Sequence, residues 1–360
     1  MLRQLFFSLL SATLLQAQEG GFSHLLNGRD LTGWVNVNGA LETWTVKDGM
    51  LHCDGIPTGA LRTDRQYENF ILELEWRHLK PGGNAGVFIW AGPLSAPGVP
   101  FLRAIEVQVL DHAYGKSDWF TTHGDVFPIH GSTMKPFGRN AGQRSFPSEE
   151  RSKGSPEWNH YRITCQDGTL RLAVNGKEVS GGENCTWRKG YIALESEGGV
   201  VDWRNLRIKE LPGGNATPEQ TAPLADGRES LYDGRTLKGW TTPLGTPTGW
   251  KPADWELAST GNNGPLVFNT KLGDFQLQLD VRTEGKGVTA PFPVCINGVP
   301  LTAMVSDRWT RYYITRRGVV ISGREEGQSP GPEIPVATGP AEISLKSETP
   351  LRVASLYLKQ

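Results

Sequence analysis

Apolar and polar residues alternate with a period of two through several stretches of this 360-residue chain, the mark of half-buried β-strands. Phe70, Leu72, Leu74 and Trp76 alternate with Glu73, Glu75 and Arg77, and Tyr161, Ile163 and Cys165 alternate with Arg162, Thr164 and Gln166. Asp167-Gly168 then turns the chain into Leu170, Leu172 and Val174, and Asn175-Gly176 turns it again. Two such turn dipeptides between alternating runs predict an antiparallel meander. With 44 Gly, 24 Pro and 12 Trp the chain reads as short strands joined by tight turns, and the fold class is all-β.

The pattern also recurs. Leu26-Asn27-Gly28-Arg29-Asp30-Leu31-Thr32-Gly33-Trp34 returns as Tyr232-Asp233-Gly234-Arg235-Thr236-Leu237-Lys238-Gly239-Trp240, and the 70–77 alternation is echoed at 275–282. Ile192, Leu194, Val201, Trp203, Leu206 and Ile208 match Ile343, Leu345, Leu351, Val353, Leu356 and Leu358 near the end. The chain therefore reads as a first β-sandwich over 18–211, a linker over 212–228 without apolar periodicity, and a second, smaller, related sandwich over 229–360. The stretch from Arg77 to Trp158 looks like an insertion, since its counterpart from Arg282 to Trp309 is about a third as long. Between Gly285 and Ser306 the second unit has no Asp, Glu or His, so acid-base chemistry belongs to the first.

Charge and ends narrow the setting. A formal charge of -1 leaves no excess of cations for phosphates, which argues against nucleic acid as a partner. Arg3 followed by the apolar run from Leu5 to Leu15 and by Gln16-Ala17 predicts a signal peptide over 1–17 and a periplasmic or secreted protein. The run is too short for a membrane span. Four cysteines leave two readings open, a Cys165–Cys185 bridge or buried free thiols throughout, and no CxxC pair points to zinc.

The candidate chemistry centres on residues 105–111, where Glu106, Gln108 and Asp111 interrupt an apolar, β-branched run. Glu106 and Gln108 share one face of a strand, and Asp111 points the other way unless a bulge resets the alternation. Two carboxylates and an amide would suit glycosidic chemistry, and an ordinary solvent-facing stripe is the plain alternative. Asn84 opens a glycine-led strand and either contacts a ligand or closes a turn. The long loop that follows carries His112, Trp119, His123, His130 and Lys135. Trp119 could stack on a sugar ring. Asp111, His112, His123 and His130 leave a divalent metal open, although their spacing matches no defined motif and no other cofactor is indicated. No GxSxG elbow, phosphate loop or dinucleotide fingerprint is present.

Taken with Glu157-Trp158-Asn159 and the closing 203–209 run, these motifs resemble the 3-keto-disaccharide hydrolase family over 22–211. The resemblance implies a concanavalin A-like jelly roll with the polar strand on its concave face, and a carbohydrate partner, a 3-keto-disaccharide or glycoside. The 106, 108, 111 offsets also look like the bulged strand of laminarinase-type glycosidases, which carries three acids. Here the middle one is Gln108, which cannot exchange a proton. A 3-keto group acidifies the hydrogen on C2, so one acid-base pair suffices for elimination and hydration. On this reading Glu106 and Asp111 are base and acid in either order. Asn84 and Gln108 orient oxygens, and a histidine or Lys135 stabilises the enolate. The competing reading is a non-catalytic, lectin-like module, since the same sandwich serves both roles. Converging carboxylates would favour the enzyme and a shallow aromatic groove the lectin.

Overall fold

The computed structural model describes residues 19–243, 249–261 and 264–360, so the expected signal segment lies outside the described residues. Regular structure within them is strands and short 3-10 turns. The first unit is a sandwich of two antiparallel sheets of the jelly-roll type. One sheet runs, in spatial order, Lys177–Glu183, Thr169–Val174, Asn159–Gln166, Phe70–His78, Val201–Glu210, Met50–Cys53 and Trp44–Lys47. The facing sheet runs Val126–Ile129, Ala104–Leu110, Asn84–Ala91, Tyr191–Ser196, Gly59–Thr63 and Trp34–Asn36.

Alternation decides what each strand gives to the core. Leu72, Leu74, Trp76, Tyr161, Ile163 and Trp203 face Val87, Ile89, Val107, Val109, Ile192 and Leu194 between the sheets. Both predicted tight turns form, with Asp167 and Asn175 in the left-handed region ahead of Gly168 and Gly176. The stretch from Arg77 to Trp158 is not an insertion, because it supplies the Asn84–Ala91, Ala104–Leu110 and Val126–Ile129 strands of the second sheet. All four cysteines are free, and Cys53, Cys165 and Cys185 are buried.

The second unit has its own core around Leu277, Leu279, Val294, Ile343, Leu345 and Val353. Its larger sheet runs Trp250–Ala253, Glu256–Ser259, Leu351–Lys359, Phe275–Thr283, Thr310–Arg317 and Val320–Glu325, and its smaller one Trp240–Thr241, Leu266–Phe268, Ile343–Leu345, Val294–Ile296 and Val299–Pro300. Strand for strand this is the neighbour order of the first unit. The repeated motif also folds alike twice. The Trp34 indole donates to the Leu25 carbonyl and the Trp240 indole to the Leu231 carbonyl, both at 2.7 Å. Asn27 accepts from the Arg29 and Asp30 amides as Asp233 does from those of Arg235 and Thr236.

The expected linker is fastened down. The Glu68 carboxylate accepts from the backbone N–H groups of Gly214, Asn215 and Ala216, and Ala222 is buried with its N–H on the Lys189 carbonyl. The two sandwiches then meet over the outward face of the first unit's second sheet. Tyr357 packs there with Phe88, Ala193, Tyr191 and Leu102. Beside it, Arg311 grips Asp280 through two hydrogen bonds of 2.7 and 2.8 Å and donates to the Ser95 carbonyl at 2.9 Å, while the Gly98 N–H donates to Asp280. Both charged groups are buried, so breaking the pair strands a guanidinium out of water. Asp280→Ala should cost about 3–5 kcal/mol and split one calorimetric unfolding transition into two; a single unshifted transition would count against this lock.

Candidate active site

The Ala104–Leu110 strand is buried on both faces, which is why its sequence reads as a near-continuous apolar run. Ile105, Val107 and Val109 enter the sandwich core. Glu106 and Gln108 face outward, yet each is only 6% exposed; Phe88 and Phe127 flank Glu106 on the neighbouring strands, and Asn84 and Arg144 close on Gln108. Pairing with the Asn84–Ala91 strand is regular, with Glu106 opposite Phe88 and Gln108 opposite Gly86. On the other flank, Leu194 pairs with Val87, which brings Glu195 beside Gly86.

Gly86 is the gap that lets the acids meet. A Cβ there would stand 2.9 Å from Oε2 of Glu195 and 3.0 Å from Oε1 of Glu106. The two carboxyl groups therefore come within roughly 6 Å of each other, the range of paired acids in glycosidic chemistry. Glu197, two residues further and half-buried at the mouth, accepts a short hydrogen bond from the Asn84 amide. Burial, reinforced by the Glu197 charge and opposed by Arg144, pushes the Glu106 carboxyl up to about 8. Burial likewise raises Glu197 to about 7, against the Asn84 hydrogen bond. It also raises Glu195 well above its ordinary value, with Glu106 and Glu197 adding to it, and one Glu195 oxygen has no hydrogen-bond partner. Like charges crowded out of water hold protons, so this cluster carries both acid and base forms near neutrality.

A polar chain supports the cluster. The Gln108 amide donates to Asn84 Oδ1 at 2.9 Å, Arg144 donates to Gln108 Oε1 at 3.3 Å and to Asp125 at 3.1 Å, and buried Asp125 accepts from the Thr121 N–H at 2.9 Å. The Arg144 guanidinium lies over the Phe127 ring, 3.3 Å from its centroid. Asn84 and Gln108 are thus both at the site, fixed by each other.

Asp111 is not. No bulge interrupts the strand, so Asp111 keeps the opposite parity and its carboxylate accepts from the N–H groups of Gly82 (2.7 Å), Ala113 (2.9 Å) and Ser155 (2.7 Å). Burial alone would raise it, yet these donors outweigh burial and hold it below its ordinary value. Its role is to pin the start of the following loop, and its expected pairing with Glu106 gives way to Glu195 and Glu197. His112 and His123 share the hydroxyl of Ser152, each at 3.0 Å, with their rings 4.6 Å apart. His130 is exposed and stacks on Phe101, Trp119 is 72% exposed, and Lys135 is exposed and paired with Glu183 at 2.8 Å. None of these five is brought to Glu106. The proposed metal ligands do not converge either, and among the described residues no three His, Cys, Asp or Glu side chains are placed to hold a metal.

Sequence reasoning missed Glu195, Glu197 and Arg144. A sign of the two acids was available, since in Ile192-Ala193-Leu194-Glu195-Ser196-Glu197 they stand on the parity opposite to core residues Ile192 and Leu194, as Glu106 stands opposite Val107.

The profile described as the 3-keto-alpha-glucoside-1,2-lyase-like domain matches residues 21–209. A 3-keto-disaccharide hydrolase of Bacteroides thetaiotaomicron is 23% identical over 256 residues, spanning 55% of this chain and 81% of that protein. Among solved structures, a candidate glycosyl hydrolase from Parabacteroides distasonis aligns with a TM-score of 0.42 and 22% identity over 54% of this chain and 95% of its own. A carbohydrate-binding module from Bacillus subtilis aligns at 0.35 and 12% identity over 49% and 96%.

The glutamates set a pH dependence of stability. Their folded values lie above the ordinary 4.5, so the folded chain keeps protons that the unfolded chain has released. The associated stability is complete below about pH 4.5 and is lost as pH rises through about 8, at about 1.4 kcal/mol per pH unit for each excess proton. Melting temperature should therefore fall between pH 5 and 8, and Glu106→Gln should flatten the decline; an equal slope in that variant would show that Glu106 does not hold the proton.

Proposed function

Because the chain belongs to the 3-keto-α-glucoside-1,2-lyase-like family over residues 21–209, we propose that it cleaves 3-keto-glucosides, 3-keto-disaccharides among them, by elimination across C1–C2 followed by hydration. The observation that carries the proposal is the meeting of Glu106 and Glu195 over Gly86, with the Glu197 charge acting on both and all three proton affinities raised. A lectin would have no use for buried, partly protonated carboxyls, whose burial costs stability.

Glu197 is the base, at the mouth, where the Asn84 amide favours its ionised form. It takes the C2 proton, which the neighbouring C3 carbonyl acidifies, and the electron pair passes into an enolate. Arg144, the cation that acts on Glu106, stabilises the enolate oxygen. As the enolate collapses, C1=C2 forms, the C1–O bond breaks, and protonated Glu106 gives its proton to the departing oxygen. Glu195 shares the proton inventory of the pair. Water then adds to C1 and gives up a proton to the ionised Glu106, while Glu197, half-buried and exchanged with solvent, protonates C2, giving the 3-keto sugar and restoring both groups. Asn84 and Gln108 position this machinery through their mutual hydrogen bond.

The second sandwich takes no part in the bond-breaking. In its register Cys295 pairs with Pro300 where Phe88 pairs with Glu106, and Val294 pairs with Leu345 where Val87 pairs with Leu194. Pro300, Pro293 and Lys346 thus stand in the places of Glu106, Gly86 and Glu195. The protein is exported, and its mature chain begins after Ala17, as the basic and apolar pattern of residues 3–17 implies.

With a 3-keto-α-glucoside as substrate, Glu106→Gln and Glu197→Gln should each lower kcat by about 10²–10⁴-fold. Asp111→Asn should leave kcat near the parent value while lowering the melting temperature, through loss of about 1–3 kcal/mol of backbone anchoring. Turnover in D2O should place deuterium at C2 of the product; protium retained there would rule out elimination in favour of direct displacement. Mass spectrometry of the protein from its native envelope should show Gln18 as the first residue, and an intact Met1 would refute export by cleavage.

A further inference from the structure

We propose that Trp255 and Trp309 of the second sandwich form a sugar platform at the rim of the glutamate cleft, which holds the second ring of a 3-keto-disaccharide, the ring that departs. The inference rests on the reaction proposed above. The two indoles lie 5.5 Å apart at 40° to one another, and both residues are half-buried.

Two anchors place this pair beside the acids. On one side Asp254, next to Trp255, accepts from both the N–H and the hydroxyl of Thr58 at 2.7 Å. Thr58 precedes Gly59, which pairs with Ser196, so it stands across from Glu197. On the other side Trp309 packs onto Gly98, where an added Cβ would meet the Trp309 Cβ at 2.6 Å. The same hairpin loop carries Phe101, which sits edge-on to Phe88 at 6.4 Å, and Phe88 is the partner of Glu106. The indoles therefore bridge the loops that border the two ends of the acid cluster.

Their surroundings suit a pyranose. Aromatic faces receive the C–H face of a sugar, while hydroxyls need charged or amide partners at the edge. Arg282 lies 5.0 Å from the Trp309 ring centroid, and Glu256 bridges Arg282 and Arg352 at 3.7 and 3.4 Å. An arginine and a carboxylate flanking an aromatic surface provide donors and acceptors for ring hydroxyls.

The test compares a 3-keto-disaccharide with methyl 3-keto-α-glucoside, which lacks the second ring, using the full chain. Trp255→Ala and Trp309→Ala should raise KM for the disaccharide about tenfold and leave the methyl glycoside unaffected. Trp255→Phe and Trp309→Phe, which keep a ring face, should restore most of the loss. Equal effects on both substrates, or on neither, would overturn the platform while leaving the reaction standing. If the parent protein cleaves neither substrate, the proposed reaction fails, and calorimetry with the unoxidised disaccharide still decides the platform. Binding lost in Trp309→Ala and kept in Trp309→Phe upholds it; binding that is unchanged, or absent from the parent chain, sinks it.

Discussion

Two glutamates kept out of water on one sheet face, with a third half-buried beside them, are the constraint around which the first sandwich is arranged. Burying ionised carboxylates is costly unless each is paired, and the cation that acts on Glu106, Arg144, already serves Asp125 and Gln108. The cluster meets the cost by keeping protons, which is the state that acid-base chemistry uses. Gly86 is indispensable to this arrangement for a steric reason. Any side chain at that position would occupy the space in which Glu106 and Glu195 approach each other.

The outward face of that sheet also carries the contact between the two sandwiches. Here Tyr357 and the loop after Ala91 cover part of it, and the Asp280–Arg311 pair fixes that loop through Ser95 and Gly98. The strap from Gly213 to Ala222, tied to Glu68 and Lys189, limits how far the second sandwich can move away. The contact between the two sandwiches thus lies on the same outward sheet face as the acid cluster, at Phe88 and Ala193 beside Glu106 and Glu195.

Much of this was legible in the sequence, and the part that was not has a physical explanation. Period-two alternation shows which residues enter a core, so Phe70, Leu72 and Leu74, the two tight turns and the repeated Trp34 and Trp240 loops were open to reading. Glu106, Gln108 and Asn84 could be picked out because polar groups stood in apolar strands. Which second acid joins Glu106 could not be read from proximity along the chain. Asp111 is near in sequence but opposite in parity, while Glu195 lies 89 positions away and arrives through a strand pairing. Parity without pairing shows which acids face outward but not which of them become neighbours, and only the order of strands in the sheet brings Glu195 to Glu106.

The second sandwich separates what the scaffold requires from what the chemistry requires. Inward positions keep their character between the units, with Leu194 answered by Leu345 and Val87 by Val294, because a packed interior tolerates little change in volume. Outward positions diverge completely, with Pro300, Pro293 and Lys346 at the places of Glu106, Gly86 and Glu195. A proline removes the backbone donor and fills the space that a glycine leaves, and a lysine reverses the charge. Such a face cannot assemble an acid cluster, yet the sheet beneath it forms with the same strand order. Since the fold survives without them, the three glutamates and the glycine between them are not there to stabilise it. Their cost to stability is what a site for moving protons demands.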